Sequence, residues 1–156
     1  MPTINKENTP MILKNFLLVF FLALTVRTGY AWFFVETGNL ILEDQMMYIP
    51  LGQAMAATGD FLQASTNGYT TVTGRLPGYP ALLSVVYTLF GENNMAVVVV
   101  QIFIDSITCV IIALIAESVI VGGFLVAGLI SALNLNMTIL SGMILTETLF
   151  LFLFSL

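Results

Sequence analysis

An all-α fold of polytopic transmembrane helices, with an outer loop carrying juxtamembrane helices, is predicted by three observations. Apolar residues make up 58% of the chain, charged residues only 8%, and mean hydropathy is +1.00. A water-soluble domain carries about 25% charge, so this chain lacks the polar surface a soluble fold needs. Several apolar runs are long enough to cross a ~30 Å hydrocarbon core. The few basic residues are also placed asymmetrically: Lys6 and Lys14 flank the first run, whereas 36–94 holds five acids and a single base, Arg75.

The first run, 11–35, reads as a span. It resembles a signal peptide in having lysines ahead of apolar residues, but it continues too far and lacks a small-x-small cleavage site, so it is read as retained. Arg27 lies near its far end, where a long side chain can snorkel outward. Tyr30, Trp32, Phe33 and Phe34 follow as an interfacial aromatic belt. Residues 1–10 form the tail before it. The charge bias places that tail in the cytoplasm and the loop 36–94 outside, as expected for a multi-pass protein of the cell (inner or plasma) membrane.

Within the loop, Met47, Tyr48, Leu51, Met55 and Thr58 recur near helical spacing from Asp44 onward, which predicts a short amphipathic helix at the interface. Pro50 marks a first turn or a kink, and Gly59 ends the helix. Residues 61–74 are rich in Ser, Thr, Asn and Gly and read as open loop. The apolar run 76–90 is short and opens with Pro77, Gly78 and Pro80. It reads as a juxtamembrane helix rather than a span. Two further spans are expected at 95–117 and 119–140, the second with Gly122, Gly123 and Gly128 for close helix packing. Residues 148–156 read as the start of a truncated span. If 76–90 does not cross, the segment around Ser141 to Glu147 returns to the compartment that holds the long loop.

Composition excludes several functions. Four Lys or Arg against nine acids leave a net charge of -5, which argues against nucleic-acid binding. There is no His, and therefore no imidazole base or metal ligand. Cys109 stands alone in an apolar run, without a disulfide framework or thiolate metal site.

Proton-transfer chemistry then falls to carboxylates. Glu43 and Asp44 stand just beyond the first span, where a carboxylate serves either as a helix cap favoured by the helix dipole or as a general base toward an acceptor hydroxyl. Arg75, directly before the stiff Pro77-Gly78-Tyr79-Pro80, is either an interfacial anchor or a bidentate clamp on a phosphate. Glu147 lies in an apolar stretch, where an acid is costly and is usually functional or paired. A metal ligand, a partner for Arg75 and a cap for the last helix are all open to it. Asp105 is the deepest charge. It is expected to be structural and neutral, hydrogen-bonded to Gln101 one turn away, and too deep to meet Asp44. Cys109 and the methionines are read as packing residues.

These positions together resemble the N-terminal part of the GT-C superfamily of membrane glycosyltransferases. The bacterial branch near the protein O-mannosyltransferases and the aminoarabinose transferases of lipid A is the most similar. The shared pattern is D-x-x-x-Y from Asp44 to Tyr48, then Gly59-Asp60-Phe61, then R-x-P-G-Y-P from Arg75 to Pro80. It continues into a helix ending Y-x-L-F-G at Tyr87 to Gly91, with Gln101 in the next helix and L-T-E-x-L-F from Leu145 to Phe150.

The resemblance implies transfer of a sugar from a polyprenyl-phosphate donor to a lipid, glycan or protein acceptor, at the outer face of the membrane. It implies Asp44 as the catalytic base, Arg75 on the donor phosphate, and Glu147 orienting donor or acceptor or holding a metal, with Glu43, Tyr48 and Tyr79 in support. It leaves a divalent cation open, since some members use a metal and others do not. Members of this superfamily continue through several more spans, so the chain by itself is expected to lack turnover. An inactive truncated membrane fragment and a transport or lipid-binding membrane protein are the competing expectations.

Overall fold

The computed structural model describes residues 9–35, 43–65, 68–72 and 75–156. The chain is helical. Helix α1 is Thr9–Tyr30, extended by a π-helical turn at Ala31–Val35, and α2 is Glu43–Thr58. Helix α3 is Gly78–Phe90, α4 is Asn94–Val119, α5 is Gly123–Ala132, α6 is Leu135–Ser141 and α7 is Glu147–Ser155. Two stretches, Leu13–Phe34 and Asn94–Val119, are long and apolar enough to cross a membrane. A third span forms if α5 and α6, bent by 54° at their junction, are counted as one.

Residues 61–74, expected to be open loop, contain an antiparallel hairpin. Strand β1 (Leu62–Ser65) pairs with β2 (Gly68–Thr71), Leu62 opposite Thr71 and Ser65 opposite Gly68. The residues read as loop-forming for their polarity include a Tyr-Thr-Thr run after an Asn-Gly pair, and β-branched and aromatic residues flanking Asn-Gly are a hairpin signal.

Helix α4 is the central post. It packs against α1, α5 and α7. Asn93 caps its start, accepting from the Met95 and Ala96 N–H groups at 2.9 and 3.3 Å. The Glu117 carboxylate caps the following turn by accepting from the Gly122 and Phe124 N–H groups at 3.1 and 2.9 Å. Helix α1 runs antiparallel to α4: Val19 and Ala113 share one buried cluster, and Arg27 meets Asp105 eight residues away on each helix. Gly128 of α5 sits at this junction, where a Cβ would come within 2.6 Å of Val19 and 3.2 Å of Ala113. A small residue is therefore required for the three helices to close.

The expectation that Arg27 snorkels is overturned. Its side chain is fully buried and donates from Nε to the Asp105 carboxylate. Asp105 accordingly takes Arg27 as its partner, in place of the expected Gln101. The guanidinium also donates to the Ala132 carbonyl at 2.9 Å, to the Ser131 carbonyl at 3.4 Å and to Cys109 Sγ at 3.1 Å. Those carbonyls belong to the last turn of α5, just before the bend. A helix broken at membrane depth needs its freed backbone groups satisfied from within the protein, and Arg27 satisfies the Ala132 carbonyl and shares the Ser131 carbonyl with the Asn134 N–H while pairing with Asp105.

Helix α2 buries Gln45, Tyr48, Leu51, Gly52 and Ala54 along one face, against α3. Met47 and Thr58, expected on that face, are exposed. Pro50 lies in the helix interior rather than its first turn. Helix α3, of 13 residues, is about 20 Å long and falls short of the hydrocarbon thickness. Tyr79 bonds Gln101 and, two turns later, Tyr87 bonds Asn94 at 2.7 Å. Since Asn94 precedes Gln101 by two turns, α3 runs opposite to α4 where they touch.

Candidate functional site

The sequence brings four polar positions to one cleft. Tyr48 comes from the buried face of α2. Arg75 stands three residues before α3, and Tyr79 lies in the first turn of α3, where Pro77 and Pro80 stiffen the entry. Thr146 precedes α7, and Leu149, Phe150 and Leu153 of α7 form the apolar wall with Leu76. The cleft has a volume of about 480 Å³, within the range of small-molecule sites.

Arg75 is held on two sides. Its Nη2 lies 3.3 Å from Met47 Sδ, and its guanidinium sits over the Tyr48 ring, 5.4 Å from the centroid, a cation–π contact. The Tyr48 ring meets Tyr79 edge-on with centroids 5.2 Å apart at 85°. A cation stacked on an aromatic face keeps its N–H groups in a fixed plane, which suits bidentate recognition of a phosphate or carboxylate.

Tyr79 is 4% exposed, and its hydroxyl donates to Gln101 Oε1. Burial, and then the neighbouring Tyr87, Glu147 and Tyr48, push the Tyr79 phenol far above its usual range. It stays a neutral donor at any ordinary pH. Glu147 is thus close enough to act on Tyr79 electrostatically. The Glu147 side chain is exposed, receives the Thr146 hydroxyl at 3.3 Å, and opens α7, where the helix dipole favours a negative charge.

Of the residues singled out from sequence, Arg75, Tyr48 and Tyr79 therefore meet directly, and Glu147 lies at the rim beside Thr146. Glu43 and Asp44 are the first two residues of α2, with Asp44 one turn before Tyr48. Their side chains lie outside the described residues. Among the described residues no group of three His, Cys, Asp or Glu is clustered as metal ligands would be.

Sequence reasoning missed Gln101 as a neighbour of this cleft. Its amide nitrogen donates to the Ser141 carbonyl at 3.2 Å and to the Met143 carbonyl. A lone amide in an apolar helix was the available signal, since a buried amide must find partners. Helix amphipathicity could not say which partners those would be.

These features define a helical membrane protein with a cleft that is polar at one end and apolar along α7. Comparison of the chain with protein-family models, with curated proteins and with solved structures finds no match.

Proposed function

We propose that the chain forms the N-terminal part of a GT-C-type membrane glycosyltransferase, and that the cleft receives a polyprenyl-phosphate sugar donor. One observation carries this reading: Arg75 and Thr146, far apart in sequence, line the same cleft as two tyrosines and an apolar helix, with Glu147 at its rim. That combination suits an amphiphile with an anionic head and a hydrocarbon tail. In this reading Arg75 holds the donor phosphate, and the isoprenoid lies along Leu149, Phe150 and Leu153. Tyr48 keeps Arg75 in plane, and Glu147 orients a sugar or acceptor hydroxyl.

Transfer is an inverting displacement. The acceptor oxygen bonds to the anomeric carbon, the bond from that carbon to the phosphate oxygen breaks, Asp44 takes the acceptor proton, and Arg75 meets the charge left on the phosphate. The positive flank of α1 and the acidic loop support an N-terminus in the cytoplasm and a cleft on the outer face of the cell membrane.

A test uses the chain in lipid nanodiscs with farnesyl phosphate as probe and farnesol as its uncharged control. The phosphate should bind at least tenfold tighter than farnesol, and Arg75→Ala should remove that difference, since a charge-assisted bond contributes about 1.5–3 kcal/mol. Equal binding of the two probes, unaffected by Arg75→Ala, contradicts the proposal.

A second reading, a transport or lipid-binding protein, is favoured by the bent α5–α6 pair beside the buried Arg27–Asp105 pair. Broken helices and intramembrane charges mark substrate paths in transporters. Against it, every donor nitrogen of Arg27 is already engaged by protein groups, as a structural clamp requires.

A further inference from the structure

We infer that Gln101 is a positioning residue for the cleft: its amide ties the Tyr79 wall to the corner that presents Thr146 and Glu147. Gln101 is fully buried. Its oxygen accepts from the Tyr79 hydroxyl on α3, and its nitrogen donates to the carbonyls of Ser141 and Met143 at the end of α6. One side chain on α4 thus bonds a tyrosine of the cleft wall and the segment that leads to Thr146. Gln101 does not itself line the cleft, whose walls come from α2, the approach to α3 and its first turn, and α7 with the Thr146 that precedes it.

The corner needs such a tie. Residues 142–146 contain no regular helix, and their internal hydrogen bonds are short-range turns, Met143 N–H to Leu140 at 3.1 Å and Leu145 N–H to Met143 at 2.9 Å. Ile144 and Leu145 pack this turn into the interior, and the Gln101 amide gives its backbone a polar anchor. The amide of Gln101 supplies both polarities required, an acceptor toward Tyr79 and donors toward two carbonyls. Neither Leu nor a carboxylate does both. The Tyr79 phenol, held protonated by burial, always has its proton to give.

The link from Gln101 to ligand binding rests on the proposed donor cleft, so the test reads the corner and the binding separately. The full chain in nanodiscs is compared with Gln101→Leu and Tyr79→Phe by backbone hydrogen exchange and by farnesyl phosphate affinity. Gln101→Leu should speed exchange at 142–147 while leaving the middle of α4 protected, and should weaken the probe about fivefold, the scale of a lost hydrogen bond. Tyr79→Phe, which removes one arm only, should shift both readouts in the same direction by less. In the double variant the Tyr79→Phe change should add little to the Gln101→Leu effect, because the two lose the same contact.

Should Gln101→Leu fail to fold, Tyr79→Phe alone carries the test: unchanged exchange at the corner overturns the positioning role. Faster exchange with unchanged affinity also overturns it, leaving Gln101 a packing residue. Failure of the unsubstituted chain to bind farnesyl phosphate refutes the donor cleft, and the binding half of this inference with it. An unchanged corner in Gln101→Leu refutes the inference alone.

Discussion

Arg27 on α1 and Asp105 on α4 form an ion pair from which water is excluded, with side chains 0% and 1% exposed. The pair sits where three helices meet, because the same guanidinium also caps the last turn of α5.

Breaking this pair from one side strands a charge in an apolar interior, a loss of about 3–5 kcal/mol. Arg27→Leu and Asp105→Asn should each destabilise the chain on that scale in reversible unfolding from detergent micelles. Arg27→Leu with Asp105→Leu should cost distinctly less than the sum, since no unpaired charge remains. Additive losses would show that the two side chains do not depend on each other.

The pair was partly legible in the sequence. Arg27 and Asp105 are opposite charges deep in two apolar runs, about two and three turns respectively from the ends nearest the acidic loop, and two spans that run antiparallel bring similar depths together. Reading each charge alone, as a snorkelling cation and a neutral acid, missed this because snorkelling and neutralisation are solutions for unpartnered groups. The helical architecture and the R-x-P-G-Y-P entry were legible from hydropathy and from proline placement. The bend between α5 and α6 was not. The run 119–140 has no proline, and the bend is built from an Asn134 cap that accepts from the Met137 N–H at 3.0 Å and from Arg27, which reaches the carbonyls at the end of α5 from another helix. The resemblance grouped Tyr48, Arg75 and Tyr79 in one site, but the stacking of Arg75 on Tyr48 and the edge-on contact of Tyr48 with Tyr79 were not legible, since they depend on how α2 lies on α3.

That contact is set by Gly52. A Cβ there would fall 2.5 Å from Leu83 Cβ and 3.2 Å from the Tyr87 ring. Gly52→Ala should therefore destabilise the chain by about 1–3 kcal/mol through overpacking, measured by the same unfolding assay. Leu83→Ala should fail to rescue it, because alanine keeps the Cβ that is struck. Full rescue would mean that the helices approach differently.

Helix α3 is too short to cross, and it doubles back along the first turns of α4. Arg75→Cys and Asn94→Cys, flanking it, should then react with an impermeant thiol reagent added to the same side of sealed vesicles. Background is low because the native Cys109 is buried. Labelling of the two positions from opposite sides would make α3 a span.

Tyr87 reports on the α3–α4 contact. Burial first, and then Glu92, push its phenol from 10.0 to about 12. The folded value is raised, so the stability it contributes is complete below pH 10 and is lost as pH rises through about 12. A spectrophotometric titration of the phenolate should show one tyrosine ionising near pH 12 that disappears in Tyr87→Phe. A Tyr87 titrating near 10 would place it in solvent.

The donor cleft is tested most directly by photocrosslinking with a farnesyl phosphate that carries a diazirine at its tail, in nanodiscs, with labelled residues mapped by mass spectrometry. The label should fall on Leu149, Phe150 and Leu153 of α7 and on Leu76, and should be lost in Arg75→Ala. Label gathered instead in the apolar groove of about 400 Å³ between α1 and α4, at Leu24, Trp32, Val99 and Phe103, and indifferent to Arg75, would contradict the account.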